Sequence, residues 1–529
     1  MKYRVRLGMI AMLLIVCGLF FWQFVLKQPT ASYDGILLFN GADTAETIIE
    51  NGEKIPTVIN CAQKNLTSVK TIVGNADLVK HTKDVVKCME GSIETATADK
   101  EVMKEVIKNA EAAKEQEPLP QAPVKKVIIE EQVLEEPNIA IPETPVAVVD
   151  ETPSNSYQAL NYGEQRGFWI TYLEYGSILK NRSQSSFKAS VEQYFDNIAS
   201  LGFNTVYVQV RAFGDAYYPS NYYPSGEQFN GTIGTENHFD ALQIMIDCAH
   251  ARNLSVHAWV NPMRLMTTAQ LENLNDTYLI KQWYNSSTHR GTYLVESGGR
   301  WYLNPAYNEV TELIAAGITE IAANYAVDGI QIDDYFYPTT STDFDSSAYS
   351  AMGQGMSLSS WRISNVNHMV RRLYEAVHSA NSSIEFGISP QASVENNYQQ
   401  LYADVNRWCT ESGYCDYILP QVYFGFANAS MPYAEVVSRW SSMLQGSSVK
   451  LVIGLAPYKI GTIDSYAGSG GQEEWVNSSD MLLRQISTAK SFSNYGGVAM
   501  FRYDSLFRPA EGVAEQVRVE INNMRSVLQ

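Results

Sequence analysis

Cysteines and basic residues are scarce in this sequence. The 529 residues include six cysteines, and no two of them form a Cys-x-x-Cys pair, which argues against a cysteine-ligated zinc site and against a disulfide scaffold. Lys and Arg number 39 against 57 Asp and Glu, a formal net charge of −18. A nucleic-acid-binding protein would need a basic face, so this balance argues against that function class. We predict neither a metal site nor a cofactor.

One long run without charge stands at the N-terminus. Basic residues precede residues 7–26, which carry no charge, and Lys27 follows. About twenty apolar residues suffice to span a bilayer, and a basic flank stays in the cytoplasm. We therefore predict a signal anchor over residues 1–27, a single pass through the cell membrane, and a C-terminal domain outside the cytoplasm. A cleaved signal peptide, and hence secretion, is the alternative.

Residues 28–162 divide into two parts of different composition. Residues 28–110 are mixed in composition and indicate no function; Cys61 and Cys88 could form a disulfide there or remain free thiols. Residues 111–162 are rich in Pro and Glu, and such sequence cannot bury enough apolar surface to fold. We predict a disordered acidic linker that spaces the next domain from the membrane, with a functional acidic tail as the alternative.

Short β-rich runs alternate with longer amphipathic helical runs over residues 163–529. The β-rich runs are nearly continuous in apolar residues, as expected for parallel strands buried on both faces. Eight such runs predict an α/β fold, a (β/α)8 TIM barrel with loop insertions. A doubly wound sheet is the alternative, but it would need a Gly-rich phosphate loop after an early strand, and none is present. The eight runs are 167–172, 204–210, 254–260, 328–332, 384–388, 416–421, 450–454 and 497–501.

The residues that follow these runs share a chemical theme. In a TIM barrel the working residues lie at the C-terminal ends of the strands, and here carboxylates, amides, Arg and aromatic residues converge. Carboxylates suit glycoside cleavage, amides and Arg suit sugar hydroxyls, and aromatic faces suit pyranose rings. Two tyrosines on the second loop look like a stacking wall, although packing beneath a long loop is the alternative. The predicted substrate-binding residues are Arg211, Tyr217, Tyr218, Trp259, Asn261, Arg264, Tyr335, Gln391, Gln421 and Tyr423.

The sharpest local motif is DGIQIDDYFYP at residues 328–338. Because side chains alternate along a strand, Asp333 should point into the barrel mouth. We predict Asp333 as the catalytic carboxylate, acting as nucleophile or as base for water, with Asp334 as the alternative. Its partner, a carboxyl kept protonated in a drier setting, is predicted to be Glu174 or Asp215 on the first and second strand loops.

Eight motifs occur in a fixed order between residues 166 and 509: RGFWITYLE (166–174), NTVYVQVR (204–211), GDA (214–216), HAWVNP (257–262), DGIQIDDYFYP (328–338), FGISPQ (386–391), DYILPQVY (416–423) and GLAPYKIG (454–461). This set resembles the glycosyl-hydrolase-like family 10 proteins of bacterial envelopes. The resemblance implies a TIM-barrel glycoside hydrolase that acts outside the cell. Its substrate would be a cell-wall or other extracellular polysaccharide, such as a peptidoglycan-like glycan.

Other function classes stay open from the sequence alone. A catalytically inactive carbohydrate-binding or envelope scaffold protein is the main alternative, because a barrel fold does not by itself imply chemistry. A barrel enzyme for a non-sugar substrate would need a phosphate site on the last two loops, where residues 468–471 are more typical of a flexible loop. Cys409 and Cys415 could pair or remain free thiols.

Overall fold

The computed structural model describes residues 156–235 and 238–528. The predicted anchor, the region 28–110 with Cys61 and Cys88, and most of the predicted linker lie outside the described residues. Among the helices of the described part, none combines the length and the apolar character needed to cross a bilayer. Cys409 and Cys415 are free, buried thiols.

Eight parallel strands close into a barrel, and they coincide with the eight predicted runs. Around the barrel the order is β1-β2-β3-β6-β7-β8-β9-β10, with β10 pairing back to β1. The (β/α)8 architecture is therefore confirmed. An antiparallel hairpin, β4–β5, follows β3 and was not predicted. The strands are β1 Gln165–Ile170, β2 Thr205–Arg211, β3 Ser255–Val260, β4 Leu294–Ser297, β5 Arg300–Leu303, β6 Gly329–Ile332, β7 Glu385–Ile388, β8 Tyr417–Ile418, β9 Lys450–Leu455 and β10 Tyr495–Met500.

Three of the longer helices begin at a side chain that caps the first turn. Ser183, Asp240 and Ser357 each accept a hydrogen bond from a backbone amide three residues on, which satisfies a donor that the helix itself leaves free. The helices are α1 Tyr172–Ile178, α2 Gln184–Ser200, α3 Ala241–His250, α4 Thr268–Glu272, α5 Leu279–Asn285, α6 Asn308–Asn324, α7 Ser346–Met352, α8 Leu358–Ala380, α9 Val394–Gln400, α10 Val405–Thr410, α11 Tyr433–Met443, α12 Glu474–Asn477, α13 Met481–Lys490, α14 Tyr503–Phe507 and α15 Ala514–Leu528.

The inside of the barrel is a packed core. Large rings fill it because glycines on neighbouring strands leave room: a Cβ on Gly387 would lie 1.9 Å from the Tyr417 ring, and one on Gly329 would lie 2.2 Å from His257. A hydrogen bond of 2.8 Å joins His257 Nδ1 to the Tyr417 hydroxyl. Burial lowers the pKa of His257 to about 4, so this histidine is a neutral core residue. Chemistry is therefore confined to the ends of the barrel.

Asp328 closes the end of the barrel where the strands begin. Its carboxylate is fully buried and accepts hydrogen bonds from the Tyr157 hydroxyl at 2.7 Å, the Leu160 amide and the Val256 amide at 2.7 Å. The entering segment, residues 156–162, is thereby fastened to the barrel. The ordered domain begins before the predicted boundary at Gly163, because these residues find backbone and side-chain partners on the barrel.

Candidate active site

Asp333 follows β6 and points into the barrel mouth, as the alternation of the strand predicts. Its side chain is 3% exposed. Trp259 Nε1 and Asn261 Nδ2 donate to Oδ2 at 3.0 and 2.6 Å, and the Tyr335 amide donates to Oδ1 at 3.3 Å. Asn261 is itself fixed by Gln209, whose Nε2 donates to the Asn261 Oδ1 at 2.8 Å. Residues from β2, β3 and β6 thus hold one carboxyl in place.

Asp334 is the more open member of the adjacent pair. It is half-buried, and Gln421 Nε2 donates to its Oδ1 at 3.1 Å. The same nitrogen donates to the Ser389 carbonyl at 3.1 Å, and Gln391 lies opposite Gln421 in a parallel bridge. Amides at the ends of β7 and β8 therefore orient Asp334 from the side that Asp333 does not face.

The pKa of each of the two carboxyls is raised. Burial is the largest cause that raises the pKa of Asp333 well above its usual range, and the charge of Asp334 raises it further. Burial also raises the pKa of Asp334, although hydrogen bonds from Gln421 and Gln391 oppose the shift. Both carboxyls therefore hold their protons to higher pH than an ordinary Asp, Asp333 more strongly than Asp334, and they titrate as a pair.

Arginine and aromatic rings surround the pair. The Arg264 guanidinium lies over the Tyr335 ring at 4.3 Å and over the Phe213 ring at 4.4 Å. The Tyr423 ring is 5.7 Å from that of Phe501. Phe213 and Phe501 were missed by sequence reasoning, which gave weight to polar and tyrosine side chains at strand ends. The mouth thus combines two carboxyls, amides, a guanidinium and rings, the groups that a sugar site requires.

Glu174 and Asp215 each have hydrogen-bond partners of their own at the ends of β1 and β2. Glu174 is fully buried, accepts hydrogen bonds from the Thr171 amide and hydroxyl at 2.9 and 2.7 Å, and forms an ion pair with Arg502. Asp215 is 1% exposed and accepts from the amides of Ala212 and Phe213 at 2.9 Å each. Glu174 caps α1 and Asp215 closes the loop after β2. Burial raises the pKa of both carboxyls, as expected for an acid in a dry setting, and the role of either as the partner acid stays a prediction.

Arg211 lies outside the barrel mouth. The register between β2 and β3 shifts after Gln209, so that Arg211 pairs with Val260 and turns away from the interior. Its guanidinium lies over the Tyr223 ring at 4.3 Å, in space that Gly317 of α6 leaves open. A bulge of this kind re-aims a side chain, and regular alternation could not have predicted it. Arg211 is not among the residues at the mouth.

The predicted aromatic wall is also corrected. Tyr217 and Tyr218 are each 1% exposed, and their rings pack against Tyr175 and Tyr325 at 4.9 and 5.7 Å. They support the loop from beneath, which is the alternative that the sequence left open. Trp259 is 7% exposed and belongs to the interior core. Its indole N–H donates to Asp333, but the face of its ring is covered and cannot stack on a sugar.

Asp333 should make stability depend on pH in a recognisable direction. Its folded pKa is above the unfolded value of about 3.9, so the native state binds more protons between those two values, and the free energy of unfolding decreases as pH rises through that window. Asn at position 333 does not titrate, so the free energy of unfolding of Asp333→Asn should increase relative to that of wild type as pH rises from about 4 to 8. Urea unfolding at several pH values measures the difference.

Asp196 provides a control of opposite sign. It lies on the surface, and its hydrogen bond with Arg252 lowers the pKa of its carboxyl. Asp196→Asn should therefore lose stability relative to wild type above about pH 4. A stability difference between wild type and Asp333→Asn that stays constant with pH would contradict the raised pKa of Asp333.

The model of the family described as Glycosyl hydrolase-like 10 matches residues 164–469, more than half of the chain. This chain belongs to the glycosyl hydrolase-like 10 family. The matched residues of this family member include β1 to β9 and the Asp333–Asp334 pair, while β10, which closes the barrel, lies beyond them. No group of three or more His, Cys, Asp or Glu residues that could hold a metal ion occurs within residues 156–235 and 238–528 of this family member.

Two named relatives are similar to this family member over most of their length. Glycosyl hydrolase DigH of Escherichia coli (strain K12) is 30% identical over 375 residues, covering 65% of this chain and 84% of DigH. Glycosyl hydrolase YngK of Bacillus subtilis (strain 168) is 31% identical over 386 residues, covering 68% of this chain and 72% of YngK. The glycoside hydrolase domain of PgaB (BpsB) from Bordetella bronchiseptica aligns over 69% of this chain and 99% of its own, with a TM-score of 0.46 and 14% identity.

Proposed function

We propose that this family member is a glycoside hydrolase that acts outside the cytoplasm on a cell-wall or other extracellular polysaccharide. The observation that carries the proposal is the adjacent pair of carboxyls, Asp333 and Asp334, at the mouth of the barrel, where burial raises the pKa of both. Family membership supports the reaction type. The uncharged run at residues 7–26 supports the location and attachment to a membrane.

The pair contains both elements that glycoside cleavage needs, a proton donor and a negative charge. Asp334 is the open member, so we assign to it the contact with the glycosidic oxygen. It gives its proton to that oxygen as the bond to the anomeric carbon breaks, and positive charge develops on the sugar ring. The two carboxylates then face that charge. Water adds to the anomeric carbon, and the proton that it releases returns to the pair.

Asp333 acts as the positioning partner in this scheme. It is held by Trp259 and Asn261, and burial together with the charge of Asp334 raises its pKa. Gln421, Gln391 and the Tyr423 ring line the opposite side, where sugar hydroxyls and ring faces would lie. A protein that only binds or scaffolds glycan has no need of two adjacent carboxyls whose pKa values are raised.

The purified full-length protein should release new reducing ends from at least one polysaccharide in a panel of soluble cell-wall and storage glycans. The measurement is a reducing-end assay together with calorimetric binding to each glycan. Binding without any release would favour the carbohydrate-binding alternative. A failure to bind any glycan would contradict both functions.

A further inference from the structure

Two arginines stand side by side at the mouth of the barrel. Arg264 lies on the loop after β3, and Arg300 is the first residue of β5 in the inserted hairpin. Their guanidinium groups lie over the same Phe213 ring, at 4.4 and 4.2 Å. Arg264 also lies over Tyr335, which directly follows the carboxyl pair. The loop and the hairpin are joined by a bridge between Arg264 and Tyr302, so the two side chains are fixed on a common support.

Neither arginine has a carboxylate partner in the described part of the chain. None of the ion pairs there involves Arg264 or Arg300, whereas Arg362 and Arg502 are both paired with acids. Arg264 is 8% exposed and its Nε has no hydrogen-bond partner. The side-chain bond of Arg300 goes to the Leu265 carbonyl at 3.2 Å. Unpaired cations in a chain with 18 excess negative charges call for a functional explanation.

The two positive charges also destabilise each other. Burial lowers the pKa of Arg300, and the neighbouring charge of Arg264 lowers it further. The charge of Arg264 opposes the raised pKa of Asp333, so Arg264 faces the carboxyl pair. No acid of the described part of the chain forms an ion pair with Arg300, so the positive charge of Arg300 lacks a counter-charge at the mouth. A neutral sugar has no group to match it, whereas a carboxylate accepts the fork of a guanidinium in two parallel hydrogen bonds.

We propose that Arg264 and Arg300 bind a carboxylate on the glycan, so that the substrate class is an acidic polysaccharide. This inference rests on the proposed function, because it deepens the use of the same mouth. The carboxylate lies beside the Phe213 ring, on the side of the carboxyl pair where β5 passes. Arg300 is thereby a specificity-determining residue, while Asp333 and Asp334 carry the cleavage.

The hairpin itself supplies a matched control. Side chains alternate along β5, so Arg300 and Trp301 face opposite sides. Arg290 lies over the rings of Tyr284 at 4.3 Å and Trp301 at 5.4 Å, on the face turned away from Phe213. It is a stacked arginine of the same insertion without a place at the mouth. Arg290→Gln therefore removes one positive charge only ten residues from Arg300 in the sequence, without changing a residue of the proposed site.

The test compares binding of native and neutralised glycans. The full-length protein with Asp334→Asn, which slows turnover, is titrated calorimetrically with polygalacturonate, hyaluronan and cell-wall glycan strands free of peptide. Each glycan is also supplied after conversion of its carboxylates to primary amides. We expect at least one native glycan to bind about 10- to 100-fold more tightly than its amide, the range for hydrogen bonds between charged groups. Arg300→Gln should abolish that difference, Arg300→Lys should keep part of it, and Arg290→Gln should preserve it.

Several outcomes would overturn the inference. These are equal binding of native and amidated forms, binding of neutral glycans alone, or an equal weakening of both forms by Arg300→Gln. Thermal melting of each variant, with Arg300→Lys as the conservative replacement, shows whether a loss comes from unfolding. Failure of the proposed function looks different. If the protein prefers acidic glycans but releases no reducing ends, the carboxylate site at Arg264 and Arg300 is supported and the hydrolase function is contradicted.

Discussion

Replacing Asp334 with Asn is expected to slow glycan hydrolysis by about 10²- to 10⁴-fold, the usual contribution of a general acid or base. The amide has nearly the same shape as the carboxyl but cannot give a proton to the glycosidic oxygen. Gln421 can still contact the oxygen of the new amide, so glycan binding should change little. The measurement is kcat and KM on a glycan that the wild type cleaves, with calorimetric binding to the same glycan.

Asp333→Asn separates the positioning role from the reacting role. The charge of Asp334 raises the pKa of Asp333, so the pair keeps its last proton to higher pH than a carboxyl without a charged neighbour would. With Asn at position 333, Asp334 titrates without that neighbour. The alkaline limb of the pH–kcat profile should then move to lower pH, a change that a merely structural defect would not produce. Asp343→Asn, in the exposed turn after the pair, serves as the control with normal rates. Full activity in both Asp333→Asn and Asp334→Asn would exclude the pair from catalysis.

Replacing Asp345 with Ala is expected to lower the free energy of unfolding by about 3–5 kcal/mol. Asp345 and Arg362 are both fully buried at the side chain, and the Arg362 Nε and Nη2 donate to the carboxylate at 2.9 and 2.6 Å. The same guanidinium donates to the Ser341 carbonyl at 2.6 Å and to the Tyr402 hydroxyl at 3.0 Å. Removing the acid leaves a buried guanidinium without its counter-charge. Urea unfolding of the purified protein measures the loss.

An exposed pair gives the comparison for this prediction. Glu395 and Arg439 also form an ion pair, but each side chain is 51% exposed, so Glu395→Ala should cost no more than about 1 kcal/mol. Replacing both buried partners by apolar residues, Asp345→Leu with Arg362→Met, should recover part of the stability lost in Asp345→Ala. If Asp345→Ala costs as little as Glu395→Ala, the buried pair does not hold the loop as described.

The stability of this pair also concerns the site. Residues 339–345 belong to the loop that leaves the Asp333–Asp334 pair, and Arg362 anchors that loop to α8. A variant that loosens the anchor should lose activity at temperatures below its unfolding transition. Local opening of the loop would precede global unfolding.

The barrel could be predicted because its strands are nearly continuous apolar runs with helical patterns between them. Asp333 and Asn261 were placed at the mouth for the same reason, since alternation and strand ends fix which side chains meet there. The ring of Trp259 was predicted to bind sugar but lies in the barrel core, and only its N–H reaches Asp333. The hairpin β4–β5 was not predicted, because it lies inside an insertion whose short strands carry little periodic signal. Arg300 was missed with it.

The remaining errors have local physical causes. Arg211 follows a β-bulge, so its side chain points to the opposite face of the strand from the one that regular alternation predicts. No residue type in the sequence indicates that bulge. Glu174 did carry a signal, because Thr171 and Glu174 have the spacing of a capping box, which predicts a helix start rather than a reacting carboxyl. Loop tyrosines such as Tyr217 suit a sugar and a core equally well. The contacts of a folded loop decide between the two.

The contacts at Asp328 determine which way the domain presents its opening. The chain enters where the strands begin, whereas Asp333 and Asp334 lie where they end. Force applied to the chain at residue 156 would therefore act at the end of the barrel opposite the carboxyl pair. It would load the Asp328 hydrogen bonds before any contact at the mouth, so those bonds are expected to break first.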